Sequence, residues 1–181
     1  MRPQILSAAT WAHATWLSPP RPPRDERALR QASLQLLDQY PQLADRRVHR
    51  LPIPRGRPAF ARFCRLVAAH AAAAQVRVCV GANERRQLAA HIGQAHLERL
   101  QRLAPGTIEA TSPIDLADRF LLTVHGLALL RHSRRDTGAD TWWLLRLPRA
   151  VGEASNSVPA AERSRARRCV ASALRDRKSV V

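Results

Sequence analysis

Prolines and glycines cut this chain into short lengths, and within almost every length apolar residues recur at three- and four-residue spacing. That combination leaves few folds open. Thirteen prolines and seven glycines are spread through 181 residues, breaking the backbone wherever a helix or central strand would otherwise run on. The spacing between the breaks is that of one helical face. Strand-like alternation is limited to residues 75–80, where Val76, Val78 and Val80 alternate. The expectation is an all-α protein, a single compact multi-helix domain with short connections and an extended, Pro-rich N-terminal segment.

Residues 1–24 read as that segment and 25–181 as the helical domain. Ser18-Pro19-Pro20-Arg21-Pro22-Pro23-Arg24 loses four amide donors and forms an extended spacer. Ahead of it, Trp11 and Trp16 are placed to dock on the body. A first helix spans 25–40, with Asp25 and Glu26 in its first turn and Leu29, Ala32, Leu36 and Leu37 on one face. The longest runs from Pro58 to about Val80. It carries Phe60, Phe63, Cys64, Leu66 and Val67, then an alanine-rich stretch at 68–74 that lets another helix approach closely; its end, 75–80, reads equally as a strand. Asn83 is placed to cap a helix at 84–92, Gly93 breaks it, and another follows at 94–103. Ser112, Pro113 and Asp115 form a capping signature for a central, mostly buried helix reaching His132. Residues 141–148 read as a short helix or strand, 148–159 as a polar loop, and 160–177 as the last helix.

The charge is one-sided in sign and in residue type. Thirty basic residues face fourteen acids, a formal net charge of +16, and Lys178 is the single lysine. Excess cation is the footprint of a polyanion partner, but phosphate contact alone accepts lysine as readily as arginine. Near-exclusive arginine with abundant alanine also has the look of GC-rich coding. The arginines run from Arg2 to Arg177 without forming one block and are densest on the last helix. Arg163, Arg167, Arg168, Arg175 and Arg177 are the candidate contacts to an acidic protein partner. No aromatic lies between them, and neither turn, at Gly81 or at Gly93, is followed by a recognition-like helix with Arg, Asn or Gln grouped at its start, which disfavours nucleic acid. A small basic helical DNA-binding regulator is the alternative reading.

Little chemistry announces itself. Cys64, Cys79 and Cys169 are odd in number and widely spaced, which points to reduced, buried thiols rather than a disulfide framework. His91 and His96 do not share a helical face, and neither belongs to a zinc motif. No glycine-rich phosphate loop, nucleophile elbow or paired-carboxylate spacing occurs, so the expectation is a chain without catalytic residues, cofactor or metal. No apolar run is long enough to span a bilayer. The stretch from Ile5 to Leu17 is broken by Ser7, Thr10, His13 and Thr15, and reads as no export signal.

Three blocks, in order, carry a family likeness. The first is Phe63-Cys64-Arg65-Leu66 with the small-residue helix, Val76-Arg77-Val78-Cys79-Val80, and Leu88, Ile92, Gly93 and Leu97 beyond it. The second is Leu121-Leu122-Thr123-Val124-His125-Gly126-Leu127-Ala128. The third is Trp142-Trp143-Leu144-Leu145-Arg146-Leu147-Pro148, then a loop and a final helix with Arg168-Cys169-Val170. Over roughly residues 60–175 this order resembles the K component of bacterial type III secretion systems, the YscK/PscK/MxiK/OrgA family. The chain is shorter and more basic than that family. The resemblance implies a non-enzymatic, largely helical scaffold in the cytoplasm, peripheral to the inner membrane and not inserted in it. Its partners would be the cytoplasmic domain of the inner-membrane ring protein and the pod protein of C-ring type. Through the pod it would reach the stalk regulator and the ATPase of the sorting platform. The family has no catalytic residues to carry over.

Overall fold

The structure is a computed structural model and describes residues 8–44, 54, 56–79, 81–103, 113–133, 137–159 and 163–178. Among these, every regular element is helical, and the all-α expectation holds. In chain order the helices are α1 (Ala8–Trp11), α2 (Glu26–Gln39), α3 (Arg57–Ala71), α4 (Ala73–Val78), α5 (Ala82–Ile92), α6 (Gln94–Arg102), α7 (Arg119–His132), α8 (Thr137–Arg146), α9 (Arg149–Asn156) and α10 (Arg163–Lys178), with single 3₁₀ turns at Ala14–Trp16 and Pro41–Ala44. Packing groups the chain into two compact units, one of residues 1–51 and 135–154, the other of 52–134 and 155–181.

The first unit is organised by Trp16. Its indole Nε1 donates to the Leu147 carbonyl at 2.8 Å, and its ring meets Tyr40 edge-on, with centroids 6.1 Å apart. The Arg149 guanidinium carbon sits 5.8 Å from the ring centroid. Gly152 of α9 lies against the same ring, where a Cβ would come within 2.6 Å of it. The backbone joins in: His13 N donates to Leu145 O at 2.6 Å, and Arg149 N donates to Thr15 Oγ1 at 2.8 Å. Thus Trp16 docks as expected, while the side chain of Trp11 lies outside the described residues. These contacts also explain why 148–159, expected as a polar loop, is largely helix. Val151 is buried, the Pro148 carbonyl accepts from Val151 and Gly152, and Arg149 pairs with Glu153 one turn on. Loss of so large a buried ring costs about 3–5 kcal/mol. Trp16→Ala is expected to lower the unfolding free energy of this unit by that much, read from urea titrations followed by near-ultraviolet circular dichroism.

In the second unit α3 and α7 pack along their lengths, and α10 lies against both. The α3 face from Phe63 to Ala71 is buried, as are Leu122–Val124 and Gly126–Leu130 on α7 and Ala166, Cys169 and Ala173 on α10. The closest approach is at Gly126, whose Cα faces the Cys64 carbonyl of α3; a Cβ there would overlap that oxygen and its carbon. Helices α4, α5 and α6 form a second layer over α3.

Several expected boundaries shift. The long helix at 58–80 breaks at Ala72 (φ −96°, ψ 22°), and residues through Val78 are helical rather than strand. Asn83 lies inside α5, whose N-cap is Gly81 with no capping side chain. The helix expected from Pro113 begins instead at Arg119 (Ser112 itself lies outside the described residues). Asp115 spends its carboxylate on the Ala117 amide at 2.9 Å, closing a turn, and the Gln75 side chain holds Ile114 through both its N–H and its carbonyl. Asp118 then caps α7, accepting from Phe120 N at 2.7 Å and Leu121 N at 3.1 Å. In this helix, expected to be mostly buried, Phe120 and Leu121 are 44% and 37% exposed.

Candidate functional site

Arginines fix the carbonyl ends of several helices, where the last turn leaves acceptors unpaired and the dipole favours cations. Arg62 Nε donates to Ile92 O at 2.9 Å and Arg65 Nε to His91 O at 3.0 Å, together closing the end of α5. Arg77 donates to Leu103 O beyond α6, and Arg167 to Ser133 O beyond α7. Burial, with Arg119 nearby, lowers the Arg65 pKa to about 10. These structural arginines are scattered in sequence, and they account for part of the charge that composition alone could not place.

Beside the α5–α6 junction the second unit opens into a cleft of about 340 Å³. Its apolar wall is Pro54, Ala59, Phe63, Leu66 and Ile92, and Gly93, Gln94 and Ala95 lie at the junction itself. Its basic side chains are Arg62 and Arg177, with the His96 imidazole beside them; no acid lines it among the described residues. Gly93 makes the junction sharp, with φ +109°, a conformation open chiefly to glycine. The same residue leaves room for Arg62, because a Cβ at Gly93 would overlap its guanidinium.

Behind the cleft sits a buried charge cluster. Asp176, in the last turn of α10, accepts from His96 Nδ1 at 3.1 Å and from Arg99 Nη1 at 2.9 Å. His70 Nε2 of α3 stands 3.4 Å from the same carboxylate. The Asp176 side chain is 3% exposed and that of His70 4%. A carboxylate near a helix C-terminus opposes the dipole, so these partners must outweigh both position and burial. They do: burial pushes the Asp176 pKa up, but His70, Arg99 and His96 around the carboxylate hold it below the usual carboxylate range. An ionised carboxylate only accepts, so His96 carries its proton on Nδ1 and presents Nε2 to other partners.

Of the candidate arginines, only Arg177 reaches the cleft. Arg163, Arg167, Arg168 and Arg175 are exposed on α10, spread over roughly 140° of its circumference at 3.6 residues per turn. Arg167 is anchored to Ser133 O as above, and Arg175 Nη2 donates to Ser172 Oγ at 3.1 Å. Arg62, Arg99, His70, His96 and Asp176 had no sequence signal as a group, since up to 114 residues separate them.

No family model, no curated protein and no solved structure matches this chain. The chemistry must therefore be judged from the site itself. His96 is held by a carboxylate as a general base would be. Among the described residues lining the cleft, however, no Ser, Thr, Cys, Tyr, Lys or acid stands beside it as nucleophile or second proton carrier. The described residues hold no group of three His, Cys, Asp or Glu that could ligate a metal. Cys64, Cys79 and Cys169 are buried and form no disulfide among the described residues, and burial raises the pKa of Cys79 and Cys169, away from reactive thiolate. The arrangement is suited to holding an anionic group beside an apolar one.

Proposed function

We propose that this protein is a non-enzymatic adaptor of a bacterial type III secretion apparatus, acting at the cytoplasmic face of the inner membrane in the sorting platform. It links the cytoplasmic domain of the ring protein to the pod protein of C-ring type, and through the pod to the stalk regulator and ATPase. The observation that carries this reading is the order of the three sequence blocks over residues 60–175. The architecture supports it in kind: an all-α chain with a cationic cleft and an arginine-bearing α10 suits recognition of acidic protein surfaces. Among the described residues no helix is long and apolar enough to cross a membrane.

Co-expression with the ring-protein cytoplasmic domain and the pod protein of the same secretion system is the test. The protein is expected to co-purify with both, and its association should weaken as salt rises. Failure to bind either, with secretion intact in a strain lacking this chain, would overturn the proposal. The second reading, a DNA-binding regulator, draws on Arg163, Arg167, Arg168 and Arg175, all exposed on one helix. It requires duplex binding with a steep salt slope and a sequence preference.

A further inference from the structure

We infer that the cleft at the α5–α6 junction accepts a short acidic segment of a partner protein, in which a carboxylate side chain stands next to a large apolar one. This rests on the adaptor reading only in taking the partner to be a protein; it does not depend on which assembly the chain serves.

The walls set the chemistry. Phe63, Leu66 and Ile92 are almost wholly buried, and with Pro54 and Ala59 they make one apolar side. Arg62 and Arg177 supply guanidinium groups at the same opening, with the His96 imidazole beside them. An occupant must therefore satisfy both kinds of surface at once. A free phosphate or nucleic-acid backbone would leave the apolar wall unfilled and would itself be desolvated against it. A basic segment would meet like charge. An aliphatic or aromatic residue beside Asp or Glu satisfies both. At about 340 Å³ the cleft is at the small end of ligand sites, a size for one or two side chains.

The donors are also held in advance. Arg62 is fixed by its Nε bond to Ile92 O and by its seat against Gly93, while its guanidinium keeps further N–H groups for a carboxylate fork. Donors held before binding lose little freedom on binding, which favours affinity. The glycine N-cap of α6 offers no capping side chain, so a carboxylate here also meets the positive end of that helix.

The experiment is a selection of random dodecapeptides displayed on phage against the full chain. The leading peptides are then synthesised and measured by fluorescence anisotropy. The expected consensus pairs Asp or Glu with an adjacent Phe, Leu or Ile. Binding should weaken at least tenfold on the Arg62→Ala/Arg177→Ala double variant, and equally when the peptide acid is replaced by its amide. Ala95→Trp, at an exposed position on the cleft, should block binding without changing charge. It keeps the test sound if the double variant does not fold, which circular dichroism checks. Absence of enrichment, a consensus without the acid, or equal binding to Ala95→Trp would overturn the inference. None of these outcomes bears on co-purification with ring and pod proteins, so the two proposals fail separately.

Discussion

Gly126→Ala should destabilise the second unit by about 3 kcal/mol or more, and Gly126→Val should prevent it from folding. The sign is what makes the result informative. Gly126 lies in the interior of α7, where alanine normally stabilises a helix by about 1 kcal/mol over glycine. Here the added Cβ overlaps the carbonyl of Cys64. That obstacle is backbone in the middle of α3, not a side chain that can turn aside. Relief requires α3 and α7 to separate, and α10 packs on both. Their buried faces, including Phe63, Val67, Leu127 and Leu130, would lose contact together. Chemical denaturation followed at 222 nm reads the effect. A Gly126→Ala protein as stable as the parent would mean that the two helices can part at small cost, and that this crossing does not define the unit.

Helix content was legible because periodicity and capping are local. Asp25 precedes α2 and accepts from Ala28 N at 2.7 Å, and Gly93 stops α5 where its freedom at positive φ suggests it should. The failures came where distant residues overrode a local signal. The Ser112-Pro113-Ile114-Asp115 signature is a sound helix start, yet Gln75, nearly forty residues away, holds Ile114 in an extended path. Residues 149–156 contain Gly152 and Asn156 and look like loop, but the space left by Gly152 is filled by the Trp16 ring. The break at Ala72 falls in a run of alanines, and no side chain there imposes it.

The site was less legible than the fold, for a physical reason. A binding surface is made by residues that tertiary packing brings together, and Arg62, His96 and Arg177 lie on three different helices. Sequence density pointed to α10 because five of its arginines are close in the chain. In space, several arginines distributed through the chain serve helix ends. The large positive charge is therefore partly internal architecture, and its surface share is spread over α2, α5, α6 and α9 as well as α10 and the cleft. Asp176, one acid among those arginines in the sequence, is in space a pivot between α10, α3 and α6.

Asp176→Asn should cost about 3 kcal/mol at neutral pH, within the range for breaking a buried ion pair by removing one partner. The amide keeps the shape but removes the charge that His70, His96 and Arg99 share, and it presents N–H groups to donors. Arg99 is 44% exposed and can turn to water, whereas the buried His70 has no such escape, which keeps the penalty substantial. The pH dependence separates charge from packing. Because the folded pKa of Asp176 is lowered, the folded state holds this carboxylate ionised after the unfolded chain, near pKa 3.9, has begun to take up its proton. Its contribution is complete above about pH 5 and is lost as pH falls through the folded value. The stability gap between parent and Asp176→Asn should therefore shrink steadily as pH falls below about pH 4. A gap that stays unchanged into acid would show that the side chain acts by packing alone. If it narrows as expected, the link that ties α10 to α3 and α6, and so sets Arg177 beside His96 at the cleft, is electrostatic.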